Sequence, residues 1–270
     1  MKLFFREEGI GFPVVIVHGL YGSSDNWLTV AKKLSTGYHV FSVDQRNHGH
    51  SPNSDVHDFE AMKNDLAEFF DDRHIEKAIL LGHSMGGKAA MWFAAEYPER
   101  IEKLIIADIA PKDYFLLNEE SQYYLHNNIL QAIIELDLSN IDSRSQVEQF
   151  LLERIDSRQI VQFLLKSLHR KKETNRFEWR INARVLFDNL DEIIKGVNIR
   201  WFEDRMPITN YPVLFIKGAN SNYILPEDYP IIRKIYPEAE ISVVPDAGHW
   251  LHAEQPQLFM DAVWKFLKGK

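Results

Sequence analysis

Short apolar runs alternate with amphipathic segments over the first 110 residues of the chain. Four runs rich in β-branched and aliphatic residues have the length of buried strands, at 14–17, 40–43, 78–81 and 104–107. The segments between them carry apolar residues at helical spacing, at 26–34, 61–70 and 86–97. Because near-continuous apolar strands separated by helices are typical of parallel sheets covered on both faces, this pattern predicts an α/β core.

The pattern changes at Pro111. From there to about Met206 the sequence is rich in charged residues, and its apolar residues follow helical stripes. One such stripe consists of Val147, Phe150, Leu151 and Ile155. Strand-like runs return at 213–216 and 241–244, and a last helical segment is predicted near 258–267.

The economical interpretation is one α/β unit with an insertion, rather than two domains in tandem. Residues 1–110 and 207–270 would form the two parts of the core, and residues 111–206 a helical insertion. The length of 270 residues fits this arrangement, because it exceeds that of a simple α/β domain.

Composition narrows the possible functions. The chain is 45% apolar and 26% charged, which is typical of a globular protein rather than a disordered or collagen-like one. It has 31 basic and 39 acidic residues, and this net charge of −8 disfavours nucleic acid as a partner. The absence of cysteine excludes disulfides, thiolate metal sites and a cysteine nucleophile.

The sequence shows no segment with the features of a signal peptide or a membrane span. Arg6, Glu7 and Glu8 interrupt the apolar run near the amino terminus, and proline, histidine and glycine break the uncharged stretch at 9–24. We therefore expect a soluble, cytoplasmic protein without a membrane partner.

The most informative motif is the G-x-S-x-G sequence at residues 82–86, which follows a predicted strand and begins a predicted helix. In such a turn the flanking glycines leave room for neighbouring backbone, and the Ser84 hydroxyl emerges at the carboxyl end of the sheet. The Met85 N–H would then point to where an oxyanion forms. A helix N-cap serine in a glycine-rich turn is the alternative interpretation.

A serine hydroxyl needs a base to act as a nucleophile near neutral pH. Among the 11 histidines, His249 has the best context, because it lies between the last predicted strand and the final helix. His252, three residues later, is the alternative. After the first core strand, the N–H of Leu20 would supply a second oxyanion donor, with His18 as a buried hydrogen-bonding residue rather than a base.

The position of the acid departs from the usual order. The loop after the penultimate strand, at 218–223, contains no carboxylate, while Glu227 and Asp228 suit the first turn of a surface helix. Asp108 follows the strand expected beside that of the serine, so its carboxylate would emerge at the same edge and orient the histidine. Alternatively, Asp108 only caps the next turn; Asp246 is too close in sequence to the histidine to reach its far nitrogen.

These residues together resemble the α/β-hydrolase superfamily over nearly the whole chain. A narrower resemblance is to the bacterial YbfF-type esterases and their mitochondrial counterparts, the ABHD-eleven-like hydrolases. It rests on residues 44–52 (DQRNHGHSP), 59–62 (FEAM), 65–66 (DL), 82–88 (GHSMGGK) and 108–111 (DIAP). Where most relatives have Gly after the Arg of the first stretch, this chain has Asn47.

The resemblance implies an α/β-hydrolase fold, with a mostly parallel central sheet flanked by helices and a helical cap at 111–206. It also implies Ser84 as nucleophile, Asp108 as acid and His249 as base, acting on esters or thioesters that include acyl-CoA-type substrates. The loop containing Asp44, Arg46 and Gly49 would be structural, and His48 and His50 would not bind a metal.

The predicted cap begins with a cluster of apolar and aromatic residues. Its members are Tyr114, Phe115, Leu116, Leu117, Tyr123 and Tyr124. The four aromatic residues are candidates for the substrate pocket, although the cluster could equally pack the cap onto the core. A basic set could attract the anionic part of a CoA ester, or could simply be solvated: Lys112, Arg170, Lys171 and Lys172.

The predicted function is that of a serine hydrolase cleaving carboxylic esters or thioesters of short-to-medium acyl chains through an acyl-enzyme. The substrate would be a small molecule, and the chemistry needs no metal or organic cofactor. A C–C bond hydrolase or lyase of the same fold is an alternative, and so is a non-catalytic ligand-binding module. A haloalkane dehalogenase is disfavoured, because its nucleophile is Asp where this chain has Ser84.

Overall fold

The computed structural model describes residues 1–115 and 120–269. In these two stretches the chain forms the following strands: β1 (Phe5–Glu8), β2 (Phe12–Val17), β3 (Tyr38–Val43), β4 (Ala78–His83), β5 (Ile101–Ala107), β6 (Leu168–Arg170), β7 (Phe177–Trp179), β8 (Val213–Gly218) and β9 (Glu240–Val244).

The helices of the same stretches are α1 (Leu28–Leu34), α2 (Phe59–Asp72), α3 (Met85–Glu96), α4 (Glu120–Glu135), α5 (Arg144–Leu152), α6 (Arg158–Leu165), α7 (Ala183–Asp188), α8 (Leu190–Lys195), α9 (Tyr229–Ile235), α10 (Leu251–Glu254) and α11 (Pro256–Lys268). Short 3₁₀ turns occupy Ser24–Trp27, Pro98–Arg100, Leu138–Asn140, Ile199–Phe202 and Pro226–Asp228. None of the helices in the described ranges combines the length and the apolar character needed to cross a membrane.

A seven-stranded sheet forms the centre of the molecule, in the order β1-β3-β2-β4-β5-β8-β9. Neighbouring strands are parallel except at one edge, where β1 pairs antiparallel with β3. This confirms the mostly parallel sheet predicted from the apolar runs. The edge strand β1 was not predicted, because three of its four residues are charged and it lacks an apolar run.

Helices cover both faces of the sheet, and alternate residues of the inner strands pack into two separate cores. Val15 and Leu80 pack in the core that contains the apolar residues of α2 and α3. Val14 and Ile79 point the other way, into the core formed with α1 and α11. The alternation of side chains along a strand therefore explains why these segments are apolar at every position.

The interval between β5 and β8 lies outside the central sheet. It contains α4 to α8, with α4 packed against α7 and α8, and α5 against α6. It also contains a two-stranded antiparallel hairpin, β6–β7, which the helical interpretation did not predict because three-residue strands are too short to show alternation. The division into core at 1–110 and 207–270 and cap at 111–206 stays a prediction.

The sheet brings the carboxyl ends of three strands together. His83 at the end of β4 is in register with Ala107 of β5, which is in register with Ile216 of β8. The main chain continues this pairing one residue further, since the Ser84 N–H donates to the Ala107 carbonyl at 3.0 Å and the Asp108 N–H to the Ile216 carbonyl at 2.8 Å. Ser84 and Asp108 are therefore held side by side at one edge.

The close approach of α3 to β2 depends on Gly86. A Cβ at this position would lie 2.3 Å from the His18 carbonyl oxygen and 2.5 Å from that of Val17. We expect Gly86→Ala to lower the free energy of unfolding by about 1–3 kcal/mol or more, because backbone atoms must move apart. Gly37→Ala is the control, since nothing lies within 4 Å of its added Cβ. Urea unfolding of both variants measures the difference; equal stability would contradict this packing argument.

Candidate active site

Ser84 lies in a strained turn between β4 and α3. Its backbone angles are φ 52° and ψ −124°, a conformation that residues with a side chain rarely adopt. Gly19 allows a neighbouring loop to approach, because a Cβ there would lie 2.9 Å from the Cβ of Ser84. The turn presents the hydroxyl at the carboxyl edge of the sheet, as the G-x-S-x-G motif predicts.

The His249 ring is within hydrogen-bonding distance of this hydroxyl. Its Nε2 lies 2.9 Å from Ser84 Oγ. The ring stacks on Tyr223 with 3.8 Å between ring centroids, and its main-chain carbonyl accepts a hydrogen bond from His83 Nε2 at 2.8 Å. The carboxylate of Glu254 accepts from the N–H groups on both sides of the histidine, at 2.7 and 3.1 Å. The loop that carries His249 is therefore fixed from several directions.

Asp108 is fully buried and contacts the other ring nitrogen of the same histidine. Its Oδ2 lies 2.8 Å from His249 Nδ1, so this nitrogen carries the proton and Nε2 is free to accept from the serine. The Gly218 N–H donates to Oδ1 at 3.0 Å, and the Ser221 hydroxyl donates to Oδ2. The loop at 218–223, which contains no carboxylate, thus contributes Ser221 as a hydrogen-bond donor to Asp108.

The alternative acids and base are placed elsewhere. Asp228 is paired with Lys112 at 3.0 Å and accepts from the Leu225 N–H at 2.7 Å, and Asp246 is exposed. His252 is buried and stacks on Trp27 with 4.1 Å between centroids, and burial lowers its pKa to about 3. The continuous line of hydrogen bonds therefore runs from Ser84 through His249 to Asp108, and it includes none of these alternative residues.

A cavity of about 150 Å³ opens beside Ser84. Its apolar wall consists of Leu20, Leu125, Ile129, Ile160 and Trp250. A second cavity of about 40 Å³ also reaches Ser84, and it includes Leu20, Met85 and Tyr114. Leu20 and Met85, whose N–H groups are the predicted oxyanion donors, thus both lie next to the hydroxyl; their role as donors stays a prediction.

Of the four aromatic pocket candidates, the structure places Tyr114 against the small cavity but not the other three. Phe115 and Tyr124 are exposed, and the Tyr123 ring contacts these two rings instead. Helical phase explains this difference, since the face of α4 toward the cavity carries positions 122, 125, 126 and 129. Leu116 and Leu117 lie outside the described residues.

The sequence reasoning missed a set of polar residues at the cavity. The Tyr223 hydroxyl donates to Gln122 Oε1 at 2.7 Å and lies 3.3 Å from His126 Nε2. The Tyr21 hydroxyl lies 3.1 Å from the other nitrogen of His126. The spacing of Gln122 and His126 along one face of α4 is a signal that could have indicated them, although only the fold shows which face meets the site.

The loop after β3 supports the site from below. Asp44 is fully buried and accepts from the Ser24 and His50 N–H groups at 2.6 and 2.8 Å. Arg46 makes two hydrogen bonds to Asp65, at 2.7 and 2.8 Å. Asn47 has φ 64°, a conformation that Asn tolerates well. These contacts fit the structural role that the resemblance implies for this loop.

Two buried histidines connect this loop to the strand ends. His18 Nε2 accepts from the Gln45 N–H at 2.9 Å, and His48 Nε2 accepts from the Tyr21 N–H at 3.2 Å. Burial lowers the pKa of His18 to about 4 and that of His48 to about 3. Both rings are therefore neutral at pH 7. Within the described residues, no group of three or more His, Asp or Glu side chains converges as a metal site.

These histidines make stability depend on pH. The folded protein holds them neutral, whereas the unfolded chain takes up protons near the ordinary pKa of 6.5. Their contribution is present above pH 6.5 and is lost as the pH falls toward about 4 for His18 and about 3 for His48, by on the order of 1 kcal/mol per pH unit for each ring. Chemical unfolding of His18→Asn should show a weaker pH slope. The exposed His74, replaced by Asn, should leave the slope unchanged; an unchanged slope in both variants would contradict the argument.

The chain is similar to known proteins over nearly its full length. The α/β hydrolase fold family matches residues 13–256. Esterase YbfF of Escherichia coli is 36% identical over 255 residues, which cover 94% of this chain and 92% of that protein. The sn-1-specific diacylglycerol lipase ABHD11 of Danio rerio is 34% identical over 267 residues, covering 98% of this chain and 81% of the relative.

A solved structure, described as a marine microorganism esterase, superimposes with a TM-score of 0.91 at 40% sequence identity. The alignment covers 98% of this chain and 99% of that one. Fold and sequence similarity both extend over nearly the whole chain. The chain therefore belongs to the α/β-hydrolase family, among proteins similar to YbfF and ABHD11.

Proposed function

We propose that this protein hydrolyses carboxylic esters, with Ser84 as nucleophile, His249 as base and Asp108 as the acid that orients it. The observation that carries the proposal is the line of hydrogen bonds from Ser84 Oγ through both nitrogens of His249 to the buried Asp108. Ser84, at one end of this line, lies in the wall of an apolar cavity, where a substrate carbonyl can meet its hydroxyl. The esterase and lipase names of the relatives point in the same direction.

In the first half of the reaction, the Ser84 oxygen forms a bond to the carbonyl carbon while its proton moves to His249 Nε2. The tetrahedral intermediate then breaks its bond to the leaving oxygen, which receives this proton from the same nitrogen. In the second half, His249 takes a proton from water as the water oxygen bonds to the acyl carbon. The bond from this carbon to the Ser84 oxygen then breaks, the carboxylic acid leaves, and Ser84 recovers the proton from His249. Asp108 keeps the proton on Nδ1 and stabilises the imidazolium formed at each step.

The N–H groups of Leu20 and Met85 are the proposed donors to the oxyanion. Both residues line the small cavity together with Ser84, and Leu20 also lines the larger one. One well-placed donor is worth roughly 3–4 kcal/mol of transition-state stabilisation, so two donors account for a substantial part of the rate.

The same groups would act on thioesters, whose carbonyl is attacked in the same way and whose thiolate leaves readily. Among the basic residues considered for an anionic CoA portion, Lys112 is buried and paired with Asp228, whereas Arg170 and Lys171 lie on the hairpin β6–β7 and its turn. The four residues therefore do not act as one basic cluster. We propose thioester hydrolysis as an activity of the same site, recognised through the acyl group rather than through long-range charge.

The role of Ser84 is tested by replacing it with Ala. We expect turnover of p-nitrophenyl acetate and butyrate to be lost, and covalent labelling by a fluorophosphonate to disappear, because the nucleophilic oxygen is gone. Ser139→Ala is the control for labelling, since it removes an exposed hydroxyl and leaves the hydrogen bonds of Ser84, His249 and Asp108 in place. Labelling that persists in Ser84→Ala, or unchanged turnover, would refute the assignment. A non-catalytic module would show neither labelling nor turnover in the unmutated protein.

The role of Asp108 is tested by comparing Asp108→Asn with Asp228→Asn. An amide at position 108 favours the wrong tautomer of His249, and we expect kcat to fall by about 10³–10⁴-fold. Asp228 contacts Lys112 rather than the histidine, so its variant should retain most activity per folded molecule. The amount of folded protein is measured by circular dichroism. A larger loss in the Asp228 variant would instead move the acid to the later loop.

A further inference from the structure

The two cavities beside Ser84 are chambers that meet at the nucleophile. We call them the large chamber, of about 150 Å³, and the small chamber, of about 40 Å³. Both include Ser84 and Leu20, and both are bounded by Gln122, His126 and Tyr223. An ester also has two parts that meet at the attacked carbon. The arrangement therefore offers a separate space for each part.

Gln122, His126 and Tyr223, which line both chambers, are joined to one another by hydrogen bonds. Tyr223 donates to Gln122, and His126 lies between the hydroxyls of Tyr223 and Tyr21. Burial lowers the pKa of His126 to about 4, so the ring is neutral at pH 7 and adds no charge to either chamber. Apart from the nucleophile, the other residues of the small chamber are mostly apolar, with Lys88 and Tyr114 as the exceptions.

The position of His249 decides which part of the substrate enters which chamber. The leaving oxygen must receive its proton from His249 Nε2, so this part of the ester lies on the histidine side of Ser84. His249 and Trp250 line the large chamber and not the small one. Met85, whose N–H faces the oxyanion in the proposed mechanism, lines the small chamber. The acyl chain therefore extends into the small chamber.

We propose, on the basis of the ester hydrolysis proposed above, that the small chamber selects the acyl chain and limits it to about four carbons. A cavity measured in this way needs about 10–15 Å³ for each water molecule that it holds, so a chamber of about 40 Å³ accepts about three atoms beyond the carbonyl carbon. Ile193 and Ile194 of α8 form part of its wall, together with Ile109. The larger alcohol or thiol part occupies the large chamber.

The isoleucine wall is fixed to the nucleophile helix rather than free to move outward. The Lys88 ammonium group, one turn after Ser84 on α3, donates to the Lys195 carbonyl at 3.3 Å and to the Lys112 carbonyl at 2.9 Å. Lys195 directly follows the two isoleucines at the end of α8. Gly196 leaves room for the ammonium group, because a Cβ there would lie 2.2 Å from Lys88 Nζ. The size limit is therefore built into the contact between α3 and α8.

The experiment compares Ile→Ala variants of the two chambers against two series of esters. The acyl series consists of p-nitrophenyl acetate, butyrate and hexanoate, and the alcohol series of phenyl and 2-naphthyl acetate. Ile193→Ala and Ile194→Ala enlarge the small chamber, whereas Ile160→Ala enlarges the large chamber. Ile134→Ala removes the same atoms from an exposed position on α4. Ratios of kcat/KM are taken within each protein, so the fraction of folded enzyme cancels.

We expect the hexanoate-to-acetate ratio to rise about tenfold or more in the Ile193 and Ile194 variants, since each methylene in such a pocket changes kcat/KM by about tenfold or more. Ile160→Ala should change the alcohol series instead, and Ile134→Ala neither. Effects on the opposite series, or an unchanged acyl ratio in an enzyme that hydrolyses acetate, would overturn the chamber assignment while leaving ester hydrolysis intact. Absence of hydrolysis of every ester by the unmutated protein would overturn both proposals.

Discussion

The site depends on left-handed backbone turns held at the carboxyl ends of parallel strands. Ser84 and Asp108 both have φ 52°, and Tyr21, after β2, has φ 64°. Each such residue costs of the order of 1–3 kcal/mol and persists only where its surroundings impose it. Here the main-chain hydrogen bonds to Ala107 and Ile216 extend the sheet pairing into the turns. The stability of the β4–β5–β8 pairing therefore offsets the strain that directs the two side chains toward the histidine.

A second consequence of this pairing is the way the acid is supported. The carboxylate follows β5, while the end of β8 contributes the Gly218 N–H and the loop after β8 the Ser221 hydroxyl as donors to it. A buried polar group without hydrogen-bond partners is costly, so these two donors lower the cost of burying the Asp108 carboxylate beside His249. Asp108, which follows β5, contacts the histidine, and β8 with the loop after it supplies the hydrogen-bond donors to Asp108.

Much of the hydrogen-bonded line from Ser84 to Asp108 could be inferred from local signals. The motif around Ser84 and the loop position of His249 are visible in the sequence, and Asp108 followed from the expected adjacency of two strands. The pocket was harder to predict. Phe115, Tyr123 and Tyr124 are conspicuous as aromatic residues, yet α4 turns another face toward the cavity. Neither the phase of that helix nor the hairpin β6–β7 has a strong local pattern, because both depend on what packs against them.

The sequence by itself determined the alternation of strands and helices, the serine motif, and the exclusion of a cysteine nucleophile, since these are properties of neighbouring residues. Only the tertiary structure decided which side chains surround the reacting atoms. Tyr223 meets Gln122 and His126 across about a hundred residues of chain, and Lys88 reaches the carbonyl of Lys195 over a similar separation. Contacts of this kind arise where α4 meets the loop after β8 and the end of α8 meets α3, and packing over such separations leaves no periodic pattern in the chain.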